Sequence, residues 1–168
     1  IPAQAESMSD PIAPVGQDAV RAAIRRAADA TGVNFSLLVE TARRESALNP
    51  NARAGTSSAT GLFQFIDSTW LDMVRRHGAE HGLSQQASAL QGGADAETRR
   101  EILALRSDPE LSARMAGELA RENANALESR LGRAPRAGEL YAAHVMGSGG
   151  AVRLIQAAEN GVGDASQL

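Results

Sequence analysis

The sequence predicts an all-helical protein, and three observations carry that prediction. Ala, Leu, Arg and Glu, all good helix formers, dominate the chain. Only three Phe, one Trp and one Tyr are present, and β-branched residues are sparse, which leaves little material for sheets. Apolar residues return at three- and four-residue spacing between Gly, Pro and capping signals. A length of 168 residues fits one domain with a true core. Seventeen basic against twenty acidic residues give a net charge of -3 without clustering, which supplies no electrostatic footprint for nucleic acid. There is no cysteine, hence no disulfide and no thiolate metal site, and the redox compartment stays open. No stretch reaches the roughly 20 apolar residues of a membrane span.

Residues 1–16 hold three prolines and no helical period, and read as a flexible leader to a domain over 17–168. The first helix is expected from Gln17 or Asp18 to Thr31, with Val20, Ile24, Ala27 and Ala28 inward and Gly32 as terminator. Asn34 is placed to cap a second helix from Phe35 to about Leu48, burying Leu37, Leu38, Val39 and Ala42. After a polar loop, Asp67 or Ser68 caps a third helix from Thr69 to about His77. Residues 82–95 are polar and weakly patterned, a loop with at most a short helix. A fourth helix from about Ala96 to Leu105 precedes Ser107-Asp108-Pro109-Glu110. There a capping box (Ser107 with Glu110) and an N-cap followed by Pro (Asp108 with Pro109) predict the same helix start. The fifth helix then runs to Gly132, with Leu111, Met115, Leu119, Glu122, Ala126 and Leu131 on its inner side. A sixth covers Arg136 to Met146, Gly147-Ser148-Gly149-Gly150 breaks the chain, and a seventh covers Ala151 to about Glu159.

The chemistry concentrates between Ala42 and Trp70. Leu38, Ala42 and Glu45 fall at i, i+4 and i+7, so a carboxylate sits on the stripe its helix turns inward. Such a Glu is either paired or held protonated with a raised pKa, and the protonated state is what a general acid needs. Asn51 to Thr60 are too polar to pack as an element. Gly61 beside Gln64 suits a place where backbone passes close to a polar ligand that the amide can hydrogen-bond.

Glu45-Ser46, Asn49-Pro50 and Gly61-Leu62-Phe63-Gln64 together resemble the catalytic segment of the soluble lytic transglycosylases, which share a fold with goose-type lysozymes. The family writes a Glu-Ser pair on a helix, an Asn a few residues on, and a Gly-Leu-Met-Gln turn, with Phe63 here in place of Met. Tyr141-Ala142-Ala143-His144-Val145-Met146-Gly147-Ser148-Gly149 is similar to the family's second motif, Ala-Ala-Tyr-Asn-Ala-Gly-Pro-Gly. His144 stands where the family has Tyr, Val145 where it has Asn, and Tyr141 lies one turn earlier. Either His144 takes the role of that Tyr or Tyr141 compensates, and a His144 satisfied in the core is the structural alternative.

The resemblance implies a lysozyme-like domain that cleaves the β-1,4 bond between N-acetylmuramic acid and N-acetylglucosamine in peptidoglycan, with Glu45 as general acid and then base. It implies a substrate-facing role for Gln64, and for Ser46, Phe63, Tyr141 and His144 around it, with loop packing as the alternative for Gln64 and Phe63. For Ser46 the alternatives are support of the local helix, orientation of the acid or a bond back to a carbonyl one turn earlier. The substrate's acetamido group would replace a second carboxylate, for which Asp67, Glu118 and Glu122 are the candidates, each with a cap or ion-pair alternative. A periplasmic or secreted location follows, as does peptidoglycan as partner, with a secretion or flagellar assembly as a further partner. A hydrolytic muramidase and a non-catalytic glycan-binding module are the competing readings. His77 and His81 have the i, i+4 spacing of a metal pair, but Gly78 and Gly82 interrupt their helix, and no metal or cofactor is expected. No phosphate-binding glycine loop follows a strand, and no Ser elbow is present.

Overall fold

A computed structural model describes residues 12–165; the rest of the expected leader, residues 1–11, lies outside them. Among the described residues there are seven α-helices and no strand, only two isolated antiparallel bridges, Arg53 with Thr60 and Thr60 with Phe65. The helices are α1 (Ile12–Thr31), α2 (Phe35–Ser46), α3 (Asp67–His77), α4 (Ser84–Gln91), α5 (Ala96–Ala104), α6 (Pro109–Leu131) and α7 (Ala137–Ala165). Short 3-10 turns occupy Gly78–His81 and Leu105–Ser107. The count matches the sequence expectation by a different division: the polar stretch after Gly82 contributes α4, and the last two expected helices run on as α7. Contacts gather in two compact units, one ending at Gly117 and one beginning at Glu118.

In the first unit, α1 starts ahead of the expected Gln17. Pro14 falls in its first turn, where a helix has no use for the backbone N–H that proline lacks. Val20, Ala23, Ile24, Ala27 and Ala28 are its buried stripe, and it packs on α2, where the Arg25 guanidinium lies 3.9 Å from the centre of the Phe35 ring. Asn34 caps α2 as expected, its side-chain oxygen accepting the Leu37 N–H at 3.1 Å, an arrangement worth about 1 kcal/mol. The helix stops at Ser46, short of the expected Leu48, because Ala47 and Leu48 turn left-handed and drop the Leu48 side chain into the core.

Trp70 organises the packing of α3. It is fully buried, its ring lies 5.3 Å from that of Phe65 at 59°, and its indole N–H donates to the Ile102 carbonyl of α5 at 2.8 Å. The start of α6 decides between the two expected caps. Asp108 accepts the Leu111 N–H at 3.0 Å, while Glu110 is taken up by Arg26 and, at 3.1 Å, by Arg114, so the Asp-Pro signal holds and the capping box does not form. The buried side of α6 also differs from the predicted line. Ser112, Ala113, Met115, Ala116, Asn123 and Leu127 are buried, whereas Leu111, Leu119 and Ala126 are only partly covered. Met115 keeps its expected place, and Ser112, Ala113 and Ala116 share the inner side with it and Leu127.

In the second unit, Leu127, Ala143, Ala151 and Val152 form a small core, bordered by Leu131, Leu140, Ala142 and Ile155. The predicted break falls at Gly147, whose φ of 81° and ψ of 158° are non-helical and open only to glycine. The helical course resumes at once rather than at Ala151, so Ser148, Gly149 and Gly150 belong to α7. The entry to α7 is fastened by Glu139. Its carboxylate receives both ends of the Arg133 guanidinium at 2.9 and 2.8 Å and the Arg136 N–H at 2.8 Å, and Arg133 reaches on to Glu159 at 3.1 Å.

These bonds, led by those from Arg133, hold the Glu139 carboxyl at a pKa of about 2 against its ordinary 4.5. A depressed folded-state pKa stabilises above the unfolded value and loses that contribution as pH falls through the folded one. Unfolding free energy measured by chemical denaturation is therefore expected to decline between about pH 4.5 and 2. Glu139→Gln should flatten that decline. An unchanged slope in the variant would remove Glu139 as its source.

Candidate active site

The candidate site lies in the first unit, where the end of α2 meets the segment from Ser58 to Asp67. Glu45 stands on the last turn of α2, and the stripe it shares with Leu38 and Ala42 is the inward one: those two are buried and Glu45 is half-buried at its edge. The next residue ties the helix to the turn. Ser46 Oγ lies 2.8 Å from the Leu62 carbonyl and 3.0 Å from the Ala42 carbonyl of its own helix. Ser46 thus joins its own helix to the turn, its hydroxyl proton directed to these two carbonyls.

The turn is held from several sides. Thr60 N–H donates to the Phe65 carbonyl at 3.1 Å, Gln64 N–H to the Gly61 carbonyl at 3.2 Å, and Gly61 N–H to the Ala52 carbonyl at 2.8 Å. The Gln64 side-chain amide donates to the carbonyls of Gly61 at 2.9 Å and Ala52 at 3.2 Å. The polar loop expected to lack structure is therefore folded back on the turn. Asn49 contributes to it as well, its side-chain oxygen accepting the Asn51 N–H at 2.9 Å. Gly61 is required twice over: its φ is +88°, and a Cβ there would collide with the Arg106 carbonyl. Phe63 is 1 % exposed and packs in the core behind the turn.

Backbone strain concentrates here. Among the described residues, Ala47, Leu48 and Gln64 are the non-glycine positions with positive φ, at 53°, 63° and 53°. Each left-handed residue of this kind costs on the order of 1–3 kcal/mol and persists only where its surroundings fix it. Two of the three end the helix that carries Glu45, and the third is Gln64 itself.

Sequence reasoning missed the residue that binds this segment together. Arg106, in the 3-10 turn before α6, is 8 % exposed. Its Nη1 donates to the carbonyls of Ser58 and Phe65, both at 2.8 Å, and pairs with Asp67 Oδ1 at 2.9 Å; its Nε donates to the Leu103 carbonyl at 3.0 Å. Burial lowers the Arg106 pKa from its usual value, with the Asp67 carboxylate opposing that shift. The expected cap role of Asp67 is corrected by the same contact. Asp67 is the first residue of α3, Ile66 occupies the cap position without a side-chain bond, and the Asp67 carboxylate goes to Arg106. No local signal marks Arg106, because its partners lie some forty residues earlier in the chain.

The other predicted residues belong to the second unit. Tyr141 and His144 stand one turn apart on α7, both half-buried, just before the Gly147 break. Glu118 is buried and pairs with Arg121 at 3.6 Å, an ion pair of the kind named as its alternative. Glu122 is half-buried on the same helix. In the first unit, His81 Nδ1 lies 3.1 Å from the Arg114 guanidinium and His77 Nε2 3.3 Å from that of Arg76.

An all-helical fold that presents a half-buried carboxyl beside a strained Gly-Leu-Phe-Gln turn has the features of a lysozyme-like glycosidase. The family model described as the transglycosylase SLT domain matches residues 22–157, and the chain belongs to that family. The family is that of the peptidoglycan lytic transglycosylases, and its domains act on the wall polymer in the cell envelope. Among the described residues no helix is long and apolar enough to cross a membrane.

Proposed function

We propose that this domain cleaves the β-1,4 bond between N-acetylmuramic acid and N-acetylglucosamine, with Glu45 as the only protein carboxyl that exchanges a proton with the substrate. The observation that carries the reading is the stitch between Ser46 and the Leu62 carbonyl, which fixes the end of the Glu45 helix to the turn bearing Gln64. A proton donor and a sugar-holding amide are then set on one rigid frame, as general acid catalysis requires. Both donor contacts of the Gln64 amide are made within the protein, so its carbonyl oxygen is the end offered to a sugar hydroxyl or acetamido N–H.

The chemistry proceeds in two steps. Glu45 donates its proton to the glycosidic oxygen, the bond to the anomeric carbon breaks, and the muramic acid acetamido oxygen bonds that carbon. The Glu45 carboxylate then accepts the proton of the 6-hydroxyl as that oxygen attacks the same carbon, which frees the acetamide and leaves a 1,6-anhydro sugar. Phe63 backs the turn from the core side, and Tyr141 and His144 are assigned to the substrate on the strength of the second motif. The site of action is the envelope, periplasmic or extracellular, where this polymer is found.

The test is mass spectrometry of peptidoglycan digested by the protein. Soluble muropeptides ending in 1,6-anhydro-N-acetylmuramic acid are expected. Reducing ends alone would establish a hydrolytic muramidase, and intact peptidoglycan with the protein bound would establish a binding module.

A further inference from the structure

We infer that Arg106 is a positioning residue for Gln64, acting through the turn rather than touching the substrate. The two carbonyls that its Nη1 holds, those of Ser58 and Phe65, stand on either side of Gly61 to Gln64. Its own carbonyl fills the space that a side chain on Gly61 would need. One residue therefore fixes both flanks of the turn and its first position.

Gln64 cannot hold its conformation unaided. Its φ of 53° is a state that a non-glycine residue keeps only under constraint, and its side-chain direction follows from that backbone. Its flanking residue Phe65 is bound twice through one carbonyl, by Thr60 N–H and by Arg106. Loss of the guanidinium would leave the Ser58 and Phe65 carbonyls without this donor and release the pair to Asp67, whose own N–H is held by Ser58 Oγ at 3.0 Å. Three of the acceptors converge on Nη1 and the Leu103 carbonyl is held separately by Nε; lysine keeps the charge but has no second donor for Leu103 and ends one bond short of the Nη1 position.

The inference depends on the reading of Gln64 as a glycan contact, and a binding cycle tests it apart from the chemistry. In a Glu45→Gln background, the affinity for a β-1,4-linked tetramer of N-acetylglucosamine is measured by calorimetry for Arg106→Lys, Gln64→Ala and the pair. Each single change is expected to weaken binding about tenfold, and the pair no further than Gln64→Ala alone, because residues that act through one another are not additive. A pair weakened by the product of the two effects, about a hundredfold, would overturn the inference, as would native affinity in Arg106→Lys or in Gln64→Ala. If Arg106→Lys does not fold, Asp67→Asn takes its place. It keeps the guanidinium and weakens its anchor, with about a threefold loss expected that likewise disappears in the Gln64→Ala background. Retained wall cleavage in the Glu45→Gln protein would defeat the acid assignment and leave this cycle readable.

Discussion

Glu45→Gln is expected to reduce the release of soluble muropeptides by about 10²- to 10⁴-fold, the usual contribution of a positioned proton donor. The amide keeps the shape and hydrogen-bonding capacity of the carboxyl and removes only the transferable proton. The bonds from Ser46 to Leu62 and from Arg106 to Ser58 and Phe65 do not involve Glu45, and the amide preserves the side chain's size. Thermal unfolding should therefore stay close to that of the parent protein, and affinity for a glycan oligomer should be nearly unchanged. Turbidity clearing of purified peptidoglycan, read beside the melting curve, is the measurement. Parental clearing by a folded variant would transfer the acid role to another residue.

Gly61→Ala is expected to be the most damaging single methyl group in the first unit. Two costs add at that position. An alanine at φ +88° carries about 1–2 kcal/mol of backbone strain. The new Cβ also meets the Arg106 carbonyl, which is backbone and cannot swing aside, and such overpacking costs a further 1–3 kcal/mol or so. A fall in melting temperature of roughly 5–15 °C follows for a domain of this size. Activity should fall further than stability predicts, because any relief must shift Gln64 or Arg106. Gly55→Ala is the control: it has an ordinary φ and nothing within 4 Å of the added carbon, and should be neutral within about 0.5 kcal/mol. Equal melting temperatures for the two alanine variants would show that the Gly61 turn gives way without cost.

The residues that announce the site were legible in the sequence, and those that hold it were not. Periodicity placed Glu45 on an inward stripe, and the Asn34 cap, the Asp108-Pro109 start and the Gly147 break each follow from local rules that tertiary context left intact. Where the expectation failed, a distant partner had intervened. Asp67 looks like a cap to its neighbours, yet Arg106 claims its carboxylate. Leu48 continues a helical pattern, yet burial of its side chain draws it out of the helix. The inner side of α6 holds Ser112, Ala113 and Ala116 beside Met115 and Leu127, a mixture that a search for large apolar residues does not pick out. Arg106 is the extreme case, since a buried cation whose acceptors are mostly main-chain carbonyls leaves no pattern of residue types to read.

The left-handed trio of Ala47, Leu48 and Gln64 has a practical corollary for anyone handling this protein. Their twisted peptides contribute almost nothing to a helical circular dichroism spectrum, which reports on α1 to α7 and is blind to the orientation of the Glu45 carboxyl. Foldedness and competence are separate properties of such a molecule. A preparation should be judged by the fraction of molecules that bind glycan, since a sample with every helix in place can still have its chemistry out of alignment.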